Sequence, residues 1–359
     1  AVQRVFFAEA GGSIEQGLTQ AGAQGLVVWL LVALAYQAHR GLARSQFGWI
    51  LLVLVAADLL LAGRWVNPTA PAELIDREPP VAQRIREPLE DGRFYRTPLA
   101  REPALRAPSA DVIWVTRWNQ EVVRLYLAWT YGIPVIFHDD YNGLAPSRVA
   151  HLRWAIEALP WERRLPLLSA AAVRVIGSED DLDLPGVEKL ATLRSSGPSL
   201  YLYRNTGAAR QVEWIGQYRQ VESRDAALSA MRVPGFDPRQ HAVVEGEVPA
   251  MAKDCRVAGR ASVIEESFHR RTIAVSAECS GLLVLAEVAY PGWQARVDGR
   301  RVDILRANSA FSAIWLPAGE HEVEWRYVPR AFFLGLGISS STLLALLIVG
   351  WIRRTRWKR

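Results

Sequence analysis

The sequence predicts a membrane protein with three transmembrane helices plus a large extracytoplasmic region, a mixed α/β part followed by an all-β sandwich. Three observations lead there. Residues 331–352 are a near-continuous apolar run, and a helix of that length spans roughly 33 Å against a hydrocarbon core of about 30 Å. Arg353, Arg354, Arg356, Lys358 and Arg359 follow at once, the basic flank of a cytoplasmic end. Upstream, residues 240–328 are a series of short alternating runs separated by turn signals.

The first 20 residues mix Phe6, Phe7, Ile14 and Leu18 with Glu9 and Glu15 and read as an extracytoplasmic interfacial segment. No signal-peptide pattern opens the chain, so a native N-terminus on that side would need its own export. The reading that follows is the C-terminal part of a longer polytopic protein. Residues 21–38 and 47–63 are two further apolar stretches near the lower length limit for a span; buried core helices are the alternative. The loop between them, 39–46, carries Arg40 and Arg44 and no acid, which places it in the cytoplasm. Residues 64–330 are then outside, and the third span returns. Trp49, Trp65, Phe332, Phe333 and Trp351 near span ends fit an interfacial aromatic belt. The predicted localisation is therefore the bacterial cytoplasmic membrane, multi-pass.

Residues 64–108 are rich in proline and charge and read as a mostly irregular connector, with one short helix where Val81, Ile85 and Leu89 keep helical spacing. Residues 109–239 read as mixed α/β. Strands are expected at 112–115, 135–137, 173–176, 187–192 and 200–203. Helices are expected at 120–131, ended by Gly132-Ile133-Pro134, and at 145–159, with Pro146 near the first turn. No Gly-rich phosphate loop occurs, so no nucleotide site is predicted. Residues 240–330 read as the sandwich, with runs at 241–245, 261–266, 272–277, 282–287, 294–297, 312–316 and 322–327.

The formal net charge of +5 is a topology signal. The C-terminal tail supplies five positive charges and the 39–46 loop two more, which leaves the rest slightly acidic. A nucleic-acid footprint is excluded on that distribution; the partner it implies is the lipid bilayer. The basic residues are 39 Arg against 3 Lys, which reflects codon usage in a GC-rich bacterial genome. The two cysteines, Cys255 and Cys279, both fall in the outside region, where an even count permits a disulfide. Two buried thiols are the other reading.

Several residues are candidates for a site. Tyr290-Pro291-Gly292-Trp293 and Asp298-Gly299 read as turns with a packed indole, or as a sugar platform in which Trp293 stacks on a pyranose and Asp298 or Asn308 takes hydroxyls. Asp58, five residues from the end of the second span, is costly inside a membrane. It either reaches water or Arg64 at the interface, or contacts a ligand there. His138-Asp139-Asp140-Tyr141 is a solvated turn or, through Asp139 and Asp140, an acid–base or cation-binding cluster. Glu179-Asp180-Asp181 with Asp183 lacks the spacing of a calcium loop. No metal site and no catalytic residue is assigned.

The β region resembles the C-terminal domain of the YfhO family of bacterial membrane proteins. The resemblance rests on residues 283–287, Tyr290-Pro291-Gly292-Trp293-Gln294-Ala295, Val297-Asp298-Gly299-Arg300, Arg306-Ala307-Asn308, residues 316–323 and Arg326-Tyr327-Val328-Pro329 leading into a membrane helix. Looser support comes from Gly235-Phe236-Asp237-Pro238-Arg239, Asp58-Leu59-Leu60, Leu167-Leu168 and residues 173–176. That family is similar to GT-C-type glycosyltransferases, which act on the outer face of the membrane. The resemblance implies as partners a polyprenyl-phosphate sugar and a cell-envelope glycan acceptor. No cofactor is identified; a divalent metal belongs to the full-length parent if to anything. The family's catalytic acid sits in an outside loop near the N-terminus, and no position here matches it, so this chain alone is expected not to be catalytic. The alternatives are a non-catalytic glycan-binding or assembly module, and a lipid-linked oligosaccharide transporter.

Overall fold

The computed structural model describes residues 78–98, 119–123, 125–137, 145–193, 199–248 and 259–356, with positions 29, 33, 48, 49, 51–57, 59 and 60 of the N-terminal part. The chain divides into two compact units. One comprises residues 1–78 and 101–119, the other residues 79–100 and 120–359. In the first unit residues 48, 49, 51–57, 59 and 60 are helical, within the second expected span, and positions 29 and 33 are helical within the first. The rest of the two expected N-terminal spans, Asp58 among them, lies outside the described residues, as do Asp139, Asp140 and the strand expected at 112–115.

The second unit is a mixed α/β fold of three sheets. Its elements are α1 (Pro80–Arg86), β1 (Arg93–Arg96), α2 (Leu125–Ala128) with a 3-10 turn (Trp129–Tyr131), α3 (Ser147–Glu157), α4 (Trp161–Ala170), β2 (Val173–Ser178), β3 (Val187–Leu193), β4 (Leu200–Asn205), β5 (Val212–Ile215), β6 (Gln217–Val221), α5 (Arg224–Met231) and β7 (His241–Glu245). These are followed by β8 (Arg260–Ser267), β9 (Arg270–Ala277), β10 (Gly281–Val288), β11 (Trp293–Val297), β12 (Arg300–Val302), β13 (Leu305–Ala307), β14 (Phe311–Leu316), β15 (Gly319–Tyr327) and α6 (Arg330–Arg356).

The first sheet has the order β1-β2-β4-β3, with β1 and β2 parallel. Successive residues of a strand face opposite sides. Phe94, Val175 and Leu202 meet α1 and the 3-10 turn on one face, while Tyr95, Ile176 and Tyr203 meet α3 and α4 on the other. Strand β1 and α1 fall inside the expected irregular connector, which is thus ordered where its prolines lie outside the elements or at N1, as Pro80 does. The helix expected at 120–131 is broken, because Val123 adopts a left-handed conformation (φ 44°). The strand expected at 135–137 is reduced to one bridge, Phe94 to Val135.

The other two sheets form the sandwich. One has six strands, β5-β10-β14-β13-β7-β6, and the other five, β12-β11-β15-β9-β8. Leu283, Leu285, Ile314 and Leu316 of the first interdigitate with Ile273, Val275, Ala295, Val323 and Trp325 of the second. The sandwich therefore begins at Val212, earlier than the expected 240. β6 and β7 pair in parallel across α5. Moreover, Val243 and Phe311 of the six-stranded sheet belong to the same buried cluster as Tyr95, Leu152 and Leu168. One core thus crosses the expected boundary at 239/240.

A charged seam joins all three sheets. Burial lowers the pKa of the Arg93 guanidinium, which Glu287 nearby opposes and Arg271 reinforces. From β1 it donates to the carbonyl oxygens of Ala171, at 3.2 Å, and Ala286. Glu287 accepts from Arg271 Nη1 at 3.2 Å, and Arg271 Nε donates to Glu266 at 2.6 Å.

Strand β15 leaves the sandwich and, after Val328 and Pro329, becomes α6. Its segment Arg330–Ile352, 23 residues, is long and apolar enough to cross a membrane and has exposed side chains throughout. No other helix among the described residues meets that criterion.

Cys279 is disulfide-bonded, and the chain's other cysteine, Cys255, lies outside the described residues. Non-reducing peptide mapping of the purified protein is expected to return a linked peptide containing both. Closing a loop of that length stabilises a domain by about 3.5 kcal/mol in the chain-entropy model, so reduction should lower the melting temperature. Free alkylation of both thiols without reductant would contradict the pairing.

Candidate functional site at the α6 end of the sandwich

The register of β11 with β15 builds the site rung by rung. Val297 pairs with Val323, Ala295 with Trp325, and Trp293 with Tyr327. All three rungs alternate with outward residues and so face the sandwich interior. The first two are buried. The last is only half-buried, because the strands end there and no further rung covers it. The core thus surfaces at the end of the sandwich from which α6 departs.

What surfaces is aromatic. The Trp293 ring lies 6.0 Å from the buried Trp325 ring and 5.1 Å from Tyr327, edge-on to the latter. The Tyr290 ring lies 6.5 Å from that of Tyr327 and is half exposed. Together Tyr290, Trp293 and Tyr327 form an amphipathic ledge of the kind that stacks on sugar rings or sits at a membrane interface. Gly292 shapes it. Its φ is +115°, and a Cβ there would stand 2.8 Å from Tyr327 Cε2, so the chain can pass this close only as glycine.

The other two residues of the expected sugar platform do not join Trp293. Asp298 stands at the opposite end of β11, five residues or roughly 16 Å along the strand. With Gly299 it forms a hairpin turn having positive φ at both positions, 49° and 77°. Its Oδ2 is 2.7 Å from His321 Nδ1, and its Oδ1 accepts the Glu322 N–H at 2.9 Å. The hydrogen bond from His321, then that from Glu322, hold the carboxyl below the usual carboxylate range. Asn308 lies closer to the ledge, in a turn whose Ala310 carbonyl accepts the Ala289 N–H at 2.9 Å. Its side chain is buried and turned away, with Oδ1 accepting the Val243 N–H at 3.0 Å.

That turn is strained. Asn308 and Ser309 both have positive φ, 48° and 70°, which costs of order 1–3 kcal/mol per residue. Arg148 holds it, donating to the Ser309 carbonyl at 2.9 Å while bridging to Glu245 at 2.6 Å. A second concavity, about 470 Å³, is lined by Leu165, Pro166, Phe236 and Asp237 among others. Burial alone would raise the Asp237 pKa, but hydrogen bonds from Arg239 and Gln240 outweigh it and hold the carboxyl low. The buried Asn205 and Ser169 at this cavity bond to each other at 3.0 Å. Asp237 is committed to Arg239 and Gln240 of its own loop. No group of three or more His, Cys, Asp or Glu among the described residues is placed to hold a metal.

Sequence reasoning missed Tyr327 and Tyr290 as partners of Trp293. The signal was present in the alternation of Val323, Trp325 and Tyr327, which puts all three on one face. The Arg93–Glu287–Arg271 seam had no local signal, because its members are far apart in the chain.

Residues 260–339 match the family model of the bacterial membrane protein YfhO. That stretch is a YfhO family domain. It runs from β8 to the first turns of α6 and contains the whole ledge. No curated protein matches the chain. Among solved structures, a single-particle cryo-EM structure of arabinofuranosyltransferase AftD from Mycobacteria is similar at 13% identity and a TM-score of 0.28, covering 79% of this chain and 32% of that one. A mutant structure of the same enzyme is similar at 14% identity and a TM-score of 0.27, covering 80% and 34%. This chain thus spans about a third of the length of those two.

Two predictions follow from the YfhO domain's geometry. Asn308→Ala should cost about 2–3 kcal/mol in a thermal melt, since it leaves the buried Val243 N–H without its acceptor. Asn308→Gly loses the same bond but relieves the left-handed backbone, and should fall between wild type and Asn308→Ala. The second concerns pH. A carboxyl held low in the fold contributes stability above its unfolded pKa and loses it as pH falls through the folded one. The melting temperature should therefore drop below about pH 4 more steeply in wild type than in Asp298→Asn, as followed by differential scanning fluorimetry.

Proposed function

We propose that this chain is the extracytoplasmic domain, with membrane anchors, of a YfhO-type glycosyltransferase-like protein of the bacterial cytoplasmic membrane. In this reading the three expected spans anchor it, residues 64–330 lie outside, and the ledge of Tyr290, Trp293 and Tyr327 holds a polyprenyl-phosphate sugar at the bilayer surface. The ledge supports this best: the sandwich opens its aromatic core three residues before a membrane-length helix, where the head of a lipid-linked sugar would lie. The YfhO domain match over the same residues adds to it.

The chemistry assigned to these residues is binding and orientation. A pyranose presents a C–H face, and an aromatic ring stacked on it gains about 1 kcal/mol beyond burial, roughly fivefold in affinity. The tyrosine hydroxyls supply hydrogen bonds to sugar hydroxyls. Transfer itself is assigned to another part of the parent protein, because the resemblance puts the family's catalytic acid in an outside loop that no position of this chain matches.

The test is binding of a short-chain polyprenyl-phosphate sugar to the chain in lipid nanodiscs. Tyr290→Ala touches a half-exposed ring and should weaken binding about fivefold with the melting temperature little changed. Trp293→Ala should weaken it further and also lower the melting temperature, because the indole packs on Trp325. The polyprenyl phosphate lacking its sugar should bind wild type and Tyr290→Ala alike. Equal binding of the sugar-bearing lipid by all three proteins would overturn the reading.

A further inference from the structure

Phe268 is the most exposed large apolar side chain described in the folded unit outside α6, with a relative exposure of 103%. It sits at the tip of the β8–β9 hairpin, between Ser267 and His269, and touches no core cluster. Val263 and Ile264 of β8 are exposed on the same hairpin, so Phe268 extends an apolar surface of the kind that marks an association or membrane site.

The pairing of β9 with β15 says what the tip faces. Arg270 is opposite Arg326, and the Tyr327 N–H donates to the His269 carbonyl at 2.8 Å. The tip is therefore level with the last rung of the sheet, the rung of Trp293 and Tyr327. From Tyr327 to Arg330, where α6 begins, is three residues, at most about 11 Å. The tip stands one strand spacing, about 5 Å, to the side. The interfacial layer of a bilayer adds roughly 5–7 Å to each side of the hydrocarbon core, so the tip is within side-chain reach of it.

The surrounding charge agrees. His269, Arg270, Arg326 and Arg330 gather at this edge and are exposed. Of the acids nearby, Glu324 pairs with Arg270 at 3.3 Å and Glu266 with Arg271 at 2.6 Å. Arg326 and Arg330 add positive charge beside Phe268, which suits anionic headgroups. The opposite end of the same sheet, the Asp298-Gly299 turn and Arg300, has no such apolar tip.

We infer that the β8–β9 hairpin is a second, peripheral membrane anchor. Phe268 inserts into the headgroup layer of the leaflet that α6 enters, the basic residues around it bind anionic lipid, and the two attachments together fix the tilt of the sandwich. The inference rests on α6 crossing the bilayer, as in the proposed function, and deepens that reading, because a fixed tilt holds the aromatic ledge at the lipid surface.

The test places a nitroxide at one of three positions, His269→Cys, Arg300→Cys or Leu343→Cys, in the full chain in nanodiscs containing phosphatidylglycerol. Collision with lipid-dissolved oxygen is compared with collision with a water-soluble nickel chelate. His269 is exposed beside Phe268, so its replacement leaves the fold and the phenylalanine intact. The label at 343 should favour oxygen, that at 300 nickel, and that at 269 should favour oxygen over nickel several-fold relative to 300. If 343 reports lipid while 269 reports water like 300, the anchor is refuted and the proposed function stands. If 269 is immobile and shielded from both reagents, a protein surface covers the tip and the anchor is refuted. If 343 reports water, α6 does not cross and both readings fall.

Discussion

The rest of this architecture depends on one covalent constraint, the passage of β15 into α6. A strand held by β9 on one side and β11 on the other has no freedom to rotate or slide, because each pairing fixes its register over several residues. Two residues, Val328 and Pro329, separate it from a helix of membrane length. Pro329 ends the ladder, since it carries no N–H to donate, while the preceding Val328 N–H is still bonded to the Gly292 carbonyl at 2.8 Å. The sandwich is thus coupled to its helix through a short and largely committed segment. Whatever lies at that end of the sheet is carried to the same place as the helix start.

This explains why the aromatic residues are where they are. A sandwich core has two open ends. At the Asp298 end, the hairpin turn and His321 close it with polar groups. At the α6 end, large rings complete the core without sealing it, so apolar area remains accessible where an apolar medium is near. Gly292 and the left-handed turn at Asn308 and Ser309 are local costs accepted by the backbone to bring the β10–β11 and β13–β14 connections close together at this end.

Much of the strand order was legible in the sequence because β residues alternate with period two. The runs ending at Glu245, Ala277, Glu287, Val297, Leu316 and Tyr327 correspond to β7, β9, β10, β11, β14 and β15. Other elements were hidden for identifiable reasons. Helix α4 carries Pro166 in its interior, which reads as a break. Strand β1 lies among prolines, and its ladder partner β2 is distant in the chain. The short β12 and β13 are below the length at which alternation can be counted. Strands β5 and β6 precede the expected domain boundary, and β6 reaches β7 through a parallel crossover that no local pattern announces. At the site, Trp293 was legible from the Pro-Gly-Trp turn, but its partners depend on register. The sugar-platform reading of Asp298 and Asn308 depends on register as well. Both are near Trp293 in sequence, and the pleat sends one to the far end of the strand while the turn points the other inward.

The most direct test of the account is a cryo-EM structure of the full chain in a lipid nanodisc, read for the height of the sandwich above the bilayer. The account predicts Trp293, Tyr327 and Phe268 at the level of the headgroups, with the Asp298-Gly299 turn roughly 16 Å or more farther out. A sandwich tipped so that the Asp298-Gly299 turn meets the membrane, with the aromatic ledge facing bulk water, would contradict it.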